Sequence, residues 1–181
     1  MTTNSNHPFR RYANLTEGLE AGAPNRLWVS DISYVEVGAC FSYLSLVTDA
    51  HSRKVVGWAL ERTLQASGPI RALRQALRQW DKRGQLCHHS DRGIQYCSGG
   101  YTKLLRKHGV AISMTQNGDP GENALAERVN GTIKGEFLEY WFHGNHEAAQ
   151  EAIARAINNY NGIRPHESLG YRTPSEVHDA I

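Results

Sequence analysis

The segment between Leu27 and Leu60 constrains the fold more than any other part of the chain. It contains three stretches rich in Val, Ile, Tyr and Trp, residues that favour extended backbone, at positions 27–37, 41–47 and 54–60. Gly38 and Ala39 separate the first two stretches, and a short polar turn separates the second from the third. Because such short connections can join only antiparallel neighbours, the sequence predicts a three-stranded antiparallel meander.

Helices and strands alternate after this meander. Apolar residues at spacings of three and four predict a helix that begins at Pro69, with Ser67 near its cap, and ends at Gly84. The elements predicted after it are a fourth strand around residues 84–87, a helix over 98–108, a fifth strand over 110–114, and helices over 122–141 and 146–160. The last twenty residues are expected to be loop-like. This order predicts an α/β protein with a mixed five-stranded sheet and helices on both faces.

The first 26 residues differ from the rest in composition. They are polar and contain Gly18, Gly22 and Pro24, so residues 1–26 are expected to form a flexible arm and residues 27–181 the folded domain. The chain starts without the apolar stretch of a signal peptide and contains no run of 18 apolar residues, so no membrane span is expected. Its three cysteines, without paired spacing, suit a reducing compartment, and we expect a cytoplasmic protein.

The charge of the chain is only mildly basic. A net charge of +2 and a pI near 8.5 do not by themselves indicate a nucleic-acid-binding protein. The helix predicted after Pro69 carries a set of basic side chains away from its apolar stripe: Arg71, Arg74, Arg78 and Lys82. The sequence favours a solvated helix surface for them, with contact to DNA as the alternative.

Three acidic residues stand at positions where chemistry could be built. Asp91 follows the predicted fourth strand, and strand ends are where open α/β sheets carry their sites. Asp31 shares a face of the first strand with apolar neighbours, where ionisation is costly unless a cation offsets it. Glu127 lies on the polar stripe of the long helix, together with Asn130 and Lys134. There are 59 residues between the aspartates and 35 between Asp91 and Glu127.

Five sequence motifs carry a resemblance to a known family. They are WVSDISY at 28–34, DAHSRKVVGW at 49–58, HSDRG at 89–93, ENALAERVNG at 122–131 and RPHESLGY at 164–171. In this order they closely resemble the catalytic subunit of bacterial insertion-sequence-three family transposases. That subunit belongs with the DDE transposases and retroviral integrases. Ser30 is a departure, because many relatives carry threonine there.

The resemblance implies a ribonuclease H-like fold and a specific chemistry. Asp31, Asp91 and Glu127 are expected to form the catalytic triad and to hold two Mg²⁺ or Mn²⁺ ions. The expected reaction is cleavage at transposon ends, followed by strand transfer in which the liberated 3′-hydroxyl attacks another phosphodiester. A helix-turn-helix specificity region is expected outside this chain.

The resemblance also implies DNA as the partner and a homo-oligomer on the DNA, associated with the nucleoid. Binding should be dominated by phosphate contacts and therefore depend on salt. The candidate contacts are Arg92, Asn123, Arg128, Asn130, Lys134, Arg164 and His166.

Other assignments of the site residues remain open. Asp49 is a rival for the first acid, although a turn-forming role is favoured for it. A zinc site would recruit Cys87, His88, His89 and Cys97, but no second pair lies at the usual spacing. His88 and His89 are also candidates for general bases, with a structural role favoured.

Two alternative functions remain as well. One is a ribonuclease H-like nuclease, and the other is a non-catalytic DNA-binding remnant of a transposase. The breaker-rich segment at 115–121 is expected to be poorly ordered without DNA and metal, and a well-ordered loop in a metal-free crystal would count against this.

Overall fold

The computed structural model describes residues 7–19, 21–116, 123–137 and 145–180. Its centre is a five-stranded sheet made of β1 (Leu27–Val37), β2 (Cys40–Asp49), β3 (Val55–Glu61), β4 (Cys87–Ser90) and β5 (Ala111–Met114). The strand order is β3-β2-β1-β4-β5. The first three strands are antiparallel, whereas β4 and β5 continue the sheet in parallel to β1. The predicted meander and the mixed sheet are both confirmed.

Helices cover both faces of the sheet. They are α1 (Ser67–Gln79), α2 (Ile94–Cys97), α3 (Gly99–Lys107), α4 (Ala124–Thr132), α5 (His146–Gly162) and α6 (Pro174–His178). A π-helical turn, Ile133–Phe137, follows α4, and a 3₁₀ turn, Glu167–Leu169, precedes α6. The apolar sides of α1 and α3 pack on one face of the sheet, and those of α4 and α5 pack on the other face. No helix in the described ranges is long and apolar enough to span a membrane.

The alternation of side chains along β1 decides which helices surround Asp31. Trp28 and Ile32 point into the core beneath α1 and α3. Val29 and Val35 point to the other side, where they pack in the clusters that contain residues of α4 and α5. Since alternate residues share a face, Asp31 lies on the side of α4.

The boundaries of α1 differ from the prediction. The helix begins at Ser67, two residues before Pro69, and ends at Gln79, not at Gly84. Trp80 takes an extended conformation because its ring leaves the helical path to pack against Trp28, with ring centroids 6.2 Å apart. Gly84 lies in the segment after the helix, where its φ of +78° favours glycine over residues with a side chain.

The helices near the end of the chain also differ from the prediction. The helix predicted to reach residue 141 changes at Thr132 into the π-helical turn, and residues 138–144 lie outside the description. The predicted C-terminal loop contains α6, which is held by a capping box. Thr173 Oγ1 accepts the amide of Glu176 at 3.3 Å, and the Glu176 carboxylate accepts the amide of Thr173 at 2.7 Å.

The described part of the N-terminal arm lies along the edge strand β5. The amide of Leu15 donates to Ser113 Oγ at 2.8 Å, and the amide of Met114 donates to the carbonyl of Ala13 at 3.3 Å. His7 Nε2 contacts the carbonyl of Arg92 at 2.9 Å. These contacts join the arm to β5 and to the turn after β4, which a polar sequence with glycine and proline does not reveal.

Asp49 organises the turn between β2 and β3, as favoured from the sequence. Its fully buried carboxylate accepts the amides of Asn25 and Ser52 and the Ser52 hydroxyl at 2.7–2.8 Å. The Ser52 hydroxyl also contacts His178 Nδ1 of α6 at 2.9 Å. Burial alone would raise the pKa of Asp49, but hydrogen bonds from His178, Ser52 and Asn25 outweigh it and lower the pKa.

We therefore expect Asp49→Asn to destabilise the protein at pH 7 by about 1–3 kcal/mol, because the buried donors lose a charged acceptor. A depressed pKa stabilises the fold above the unfolded value of 3.8, and this stabilisation is lost as pH falls toward the folded value. The variant should consequently lose less stability in acid than the wild type. Urea unfolding at pH 7 and near pH 3 measures both effects.

The control for this experiment is Asp81→Asn, since Asp81 is an exposed turn aspartate that accepts the amide of Arg83 at 3.0 Å. The control should change the free energy of unfolding by less than about 0.5 kcal/mol. Equal effects of the two substitutions would contradict the anchoring role of Asp49.

Candidate active site

The parallel register of β1 and β4 brings the two aspartates together. Ser30 pairs with Ser90, which is the last residue of β4. Asp31 and Asp91 are the next residue on each strand. Since neighbouring strands lie about 4.8 Å apart, these residues are adjacent at the carboxyl end of β4. The prediction that Asp91 follows a buried strand is confirmed, and both aspartates are half-buried.

Two asparagines fasten α4 over this part of β1. Asn123 Nδ2 donates to the carbonyl of Ser30 at 3.2 Å. Asn130 Nδ2 donates to Asp31 Oδ2 at 2.9 Å, and its Oδ1 accepts the hydroxyl of Ser33 at 3.0 Å. Glu127 lies between these asparagines in sequence, about one helical turn from each. Its side chain is exposed, so it stands at the rim of the site.

The pKa of Asp31 depends on the charges of both other acids, which indicates that all three belong to one site. Burial contributes most to its raised pKa, and the negative charge of Asp91 raises it further. Glu127 adds a smaller repulsion, while hydrogen bonds from the backbone at Ile32 and from Asn130 act in the opposite direction. The pKa of Asp31 reaches about 6 as a result. A carboxylate in this position gains from a nearby cation.

The three acids supply oxygen ligands only, which is the donor set that Mg²⁺ and Mn²⁺ prefer. In the described ranges, no three His, Cys, Asp or Glu side chains lie close enough to share one ion. The exposed position of Glu127 explains this spacing, because its flexible side chain stands apart from the adjacent Asp31 and Asp91. The residues therefore fit a divalent cation in chemistry, with Glu127 as the member that has to approach.

The structure does not assemble the alternative zinc site. Cys87 packs with apolar residues on the α4 side of the sheet, whereas Cys97 packs in the core beneath α1 and α3. Burial raises the pKa of each thiol to about 11, so neither cysteine is a ready thiolate ligand. The zinc interpretation of Cys87, His88, His89 and Cys97 is wrong.

The two histidines form buried contacts beneath the site. His88 Nε2 lies 2.8 Å from both Ser30 Oγ and Tyr101 Oη, and burial lowers its pKa to about 3, which keeps the ring neutral. His89 Nδ1 lies 2.8 Å from Ser113 Oγ. Both side chains are only 1% exposed. His88 thus supports Ser30, the residue before Asp31, and its burial favours the structural role over that of a general base.

The predicted DNA contacts fall into two groups. Arg92 and Lys134 are half-buried, and Arg128 is exposed on α4 beside Glu127. Lys134 Nζ stands over the ring of Tyr34, 5.8 Å from its centroid. Arg92 and Arg128 are the sequence neighbours of Asp91 and Glu127, and all three cations remain predicted contacts with phosphate.

The other four predicted contacts make internal interactions. Arg164 binds the carboxylate of Glu136 through Nε at 2.5 Å and Nη2 at 2.6 Å. His166 packs against the ring of Tyr160 with centroids 4.9 Å apart, and burial lowers its pKa. Arg164 thereby holds the segment after α5 against the π-helical turn, and His166 holds it against α5. Asn123 and Asn130 are buried and hold α4, as described above.

The contact between Asn130 and Asp31 is the functional contact that the sequence did not reveal. The sequence placed Asn130 on the same stripe as Glu127, but it could not show that the amide turns inward to the strand. The only available signal was the spacing of three residues from Glu127.

We expect Asn130→Leu to raise the pKa of Asp31 above 6, because the charged form loses a donor. Asn123→Leu is the matched control on the same helix, since that amide bonds to the carbonyl of Ser30. Both substitutions should destabilise the protein by about 1–3 kcal/mol, but only the first should shift Asp31. Carboxyl-carbon NMR titration measures the pKa, and equal shifts in the two variants would contradict the specific contact.

The chain matches a known protein family and is similar to several transposases. The family model described as "Integrase core domain" matches residues 21–120, and a second model of the same description matches residues 108–174. A putative transposase for insertion sequence element IS986/IS6110 of Mycobacterium tuberculosis is 36% identical over 166 residues, covering 87% of this chain and 59% of the relative. Transposase InsF for insertion sequence IS3A of Escherichia coli is 31% identical over 167 residues, covering 90% and 57%.

Two solved structures with the same fold are catalytic cores of retroviral integrases. The HTLV-2 integrase catalytic core domain, in a complex with magnesium, superposes with a TM-score of 0.72 at 20% identity, over 88% of this chain and 99% of that chain. The catalytic core of BIV integrase gives a TM-score of 0.64 at 17% identity, over 86% and 95%. The predicted ribonuclease H-like fold is therefore confirmed.

The matches to the transposases extend over most of this chain but over less than two thirds of each transposase. The chain spans about three-fifths of the length of the curated transposases described above. The first integrase core model alone matches more than half of the chain. The chain thus belongs to the integrase core domain family, together with the insertion-sequence transposases to which it is similar.

Proposed function

We propose that the chain is the catalytic core of a DNA transposase, which cleaves a phosphodiester at each transposon end and joins the resulting 3′-hydroxyl to a second phosphodiester. The observation that carries this proposal is the adjacency of Asp31 and Asp91, set by the β1–β4 register, with Glu127 close enough to raise the pKa of Asp31. The names of the similar proteins support it, since several are transposases of insertion sequences.

We infer that Asp31, Asp91 and Glu127 would hold two divalent cations, Mg²⁺ or Mn²⁺. The all-oxygen donor set and the raised pKa of Asp31 fit such ions. When bound, such ions supply activation of the attacking oxygen and charge stabilisation of the leaving oxygen. The HTLV-2 integrase core that shares this fold is described as a complex with magnesium.

The chain's own residues prepare this site in two ways. Asn130 donates to Asp31 Oδ2 and so fixes the orientation of that carboxylate. The pKa of about 6 leaves Asp31 partly protonated in mild acid and ionised above pH 7. Because a proton competes with a cation for this carboxylate, metal binding should weaken as pH drops through 6. His88 is buried, and its lowered pKa makes it a poor proton acceptor, so we propose no general-base role for it.

Phosphate groups would be positioned by the cations around the acids. Arg92 follows Asp91 directly, Arg128 follows Glu127, and Lys134 lies two helical turns beyond Glu127. Contacts of this kind are made to the backbone of DNA, so they position the strand without reading its sequence. We propose that a separate helix-turn-helix region outside this chain supplies sequence recognition.

Assembly into an oligomer on DNA is part of the same proposal. The HTLV-2 core is described in dimeric and trimeric forms, and a simian T-cell lymphotropic virus intasome shares the fold with a TM-score of 0.75 at 19% identity, over 98% of this chain and 61% of that chain. Joining at two transposon ends requires two active sites, which a homo-oligomer would provide.

The test is cleavage and joining of a labelled, pre-nicked DNA end in Mn²⁺. The wild type should show both reactions, and Glu127→Gln should slow them by at least about 100-fold, or about 2.7 kcal/mol of barrier. Glu151→Gln, an exposed glutamate of α5, is the matched control and should retain activity.

Three outcomes would contradict this proposal. Hydrolysis of an RNA–DNA hybrid without joining of DNA would identify a nuclease of the same fold. DNA binding without cleavage by any of the proteins would favour a non-catalytic remnant. Equal activity of Glu127→Gln and the wild type would remove Glu127 from the site.

A further inference from the structure

The helical layer on the side of the sheet away from Asp31 carries an uneven share of the charge. Residues 67–110, which contain α1 and α3, have nine Lys and Arg but only two Asp and Glu. Residues 123–180, which contain α4 and α5, have five Lys and Arg against eight Asp and Glu. The small net charge of +2 for the whole chain therefore conceals a strong separation of charge between the two helical layers.

Helices α1 and α3 form one continuous outer surface. Their inner sides pack in the same core, which includes Leu73 and Leu77 of α1 and Tyr101 and Leu105 of α3. The helices meet where Ile70 Cδ1 approaches Gly100. We name the outer surface of the two helices, together with the segment that follows α1, the α1–α3 basic face. Its cations are Arg71, Arg74, Arg78, Lys82, Arg83, Lys103, Arg106 and Lys107.

Few of these cations are neutralised within the fold. Arg71 pairs with Glu61, and Arg83 pairs with Asp81 at 3.3 Å. Among the residues described by the structure, no carboxylate forms an ion pair with the rest of the set: Arg74, Arg78, Lys82, Lys103, Arg106 and Lys107. Arg106 instead stands over the ring of Tyr12, 5.8 Å from its centroid.

This arrangement costs the fold some stability. Arg74 and Arg78 are exposed and lie four residues apart, and like charges at this spacing destabilise a helix. A solvated helix surface, which the sequence favours for these arginines, usually mixes basic residues with acidic ones. The structure instead adds the cations of α3 beside them. A surface of this kind is explained by a polyanionic partner.

We propose that the α1–α3 basic face binds the phosphate backbone of double-stranded DNA. The face lies across the sheet from Asp31, so the DNA that it holds lies away from the phosphodiesters that react at the acids. This rests on the proposed function, because the transposon end and the DNA to which it is joined both extend beyond the reacting phosphodiesters. With 13 residues, α1 is about 20 Å long, and Arg74 and Arg78 are about 6 Å apart along it.

Charge complementarity favours DNA over a second copy of the chain. A duplex carries one negative charge per ~1.7 Å of its axis, which matches an extended basic face. Another copy would offer its α4–α5 layer, in which acidic residues exceed basic ones by only three. Two basic faces would also repel each other, which opposes a symmetric contact between copies through this surface.

The test measures binding of the 181-residue chain to a duplex of arbitrary sequence in EDTA, across a range of salt concentrations. The variant is Arg74→Gln/Arg78→Gln. The matched control is Arg62→Gln/Arg155→Gln, which removes the same charge from exposed positions outside the face. The slope of log affinity against log salt should be smaller by about 2 in the variant and unchanged in the control.

An unchanged slope in the variant, or an equal change in the control, would overturn the proposal. Altered self-association of the variant in sedimentation velocity, with an unchanged slope, would assign the face to a second copy and overturn it as well. Because binding is measured without metal, the result is independent of catalysis. If the protein joins DNA but the variant's slope is unchanged, only the proposal for this surface fails. If the slope changes but the protein does not join DNA, the transposase proposal fails and the DNA-binding surface stands.

Discussion

The pairing of Ser30 with Ser90 is the constraint on which the rest of the site depends. It fixes the register of two parallel strands that are buried by helices, and a shift by one residue would turn Asp31 into the opposite core. Because β4 ends at Ser90 while β1 continues to Val37, the sheet opens beside Asp91. The acids therefore stand where the fold itself leaves room for a substrate.

Polar contacts from both helical layers hold this constraint in place. From above, the amides of Asn123 and Asn130 tie α4 to β1, which also sets where Glu127 stands. From below, the neutral ring of His88 joins Ser30 to Tyr101 of α3. A buried polar group without a hydrogen-bond partner destabilises the fold. A shifted register that broke these contacts would therefore be less stable than the observed one. The geometry of the acids is thus a consequence of contacts made by their neighbours.

The strands and the acids could be predicted because their signals are local or carried by family motifs. The alternation from Leu27 to Val37 gave the bounds of β1 correctly. Asp91 does follow a buried strand, but that strand is Cys87–Ser90 and not the predicted run at 84–87. The inward turn of Asn130 could not be predicted, since its partner Asp31 lies 99 residues away. The same holds for Leu15 of the arm and Ser113 of β5, which are 98 residues apart. Only tertiary packing decides such contacts.

The C-terminal helix α6 is a different case, because the sequence contains the pattern that predicts its start. Thr173, Pro174 and Glu176 form the usual pattern of a capped helix start, but the surrounding segment reads as a loop by composition. The three acids were likewise visible in the sequence, whereas their unequal positions were not. Glu127 stands exposed at the rim, and burial of Asp31 becomes apparent only once α4 is packed over β1.

The fold holds Asp31 where its negative charge is unfavourable. The unfolded pKa is 3.8 and the folded pKa about 6, so the folded state keeps its proton to higher pH. Stability is therefore lost as pH rises from about 4 to 6, by up to about 3 kcal/mol. The most direct test is the free energy of unfolding of Asp31→Asn and the wild type at pH 7.5 and pH 4 in EDTA. We expect the variant to be the more stable protein at pH 7.5, with a smaller difference at pH 4. A variant that is less stable than the wild type at pH 7.5 would contradict the account.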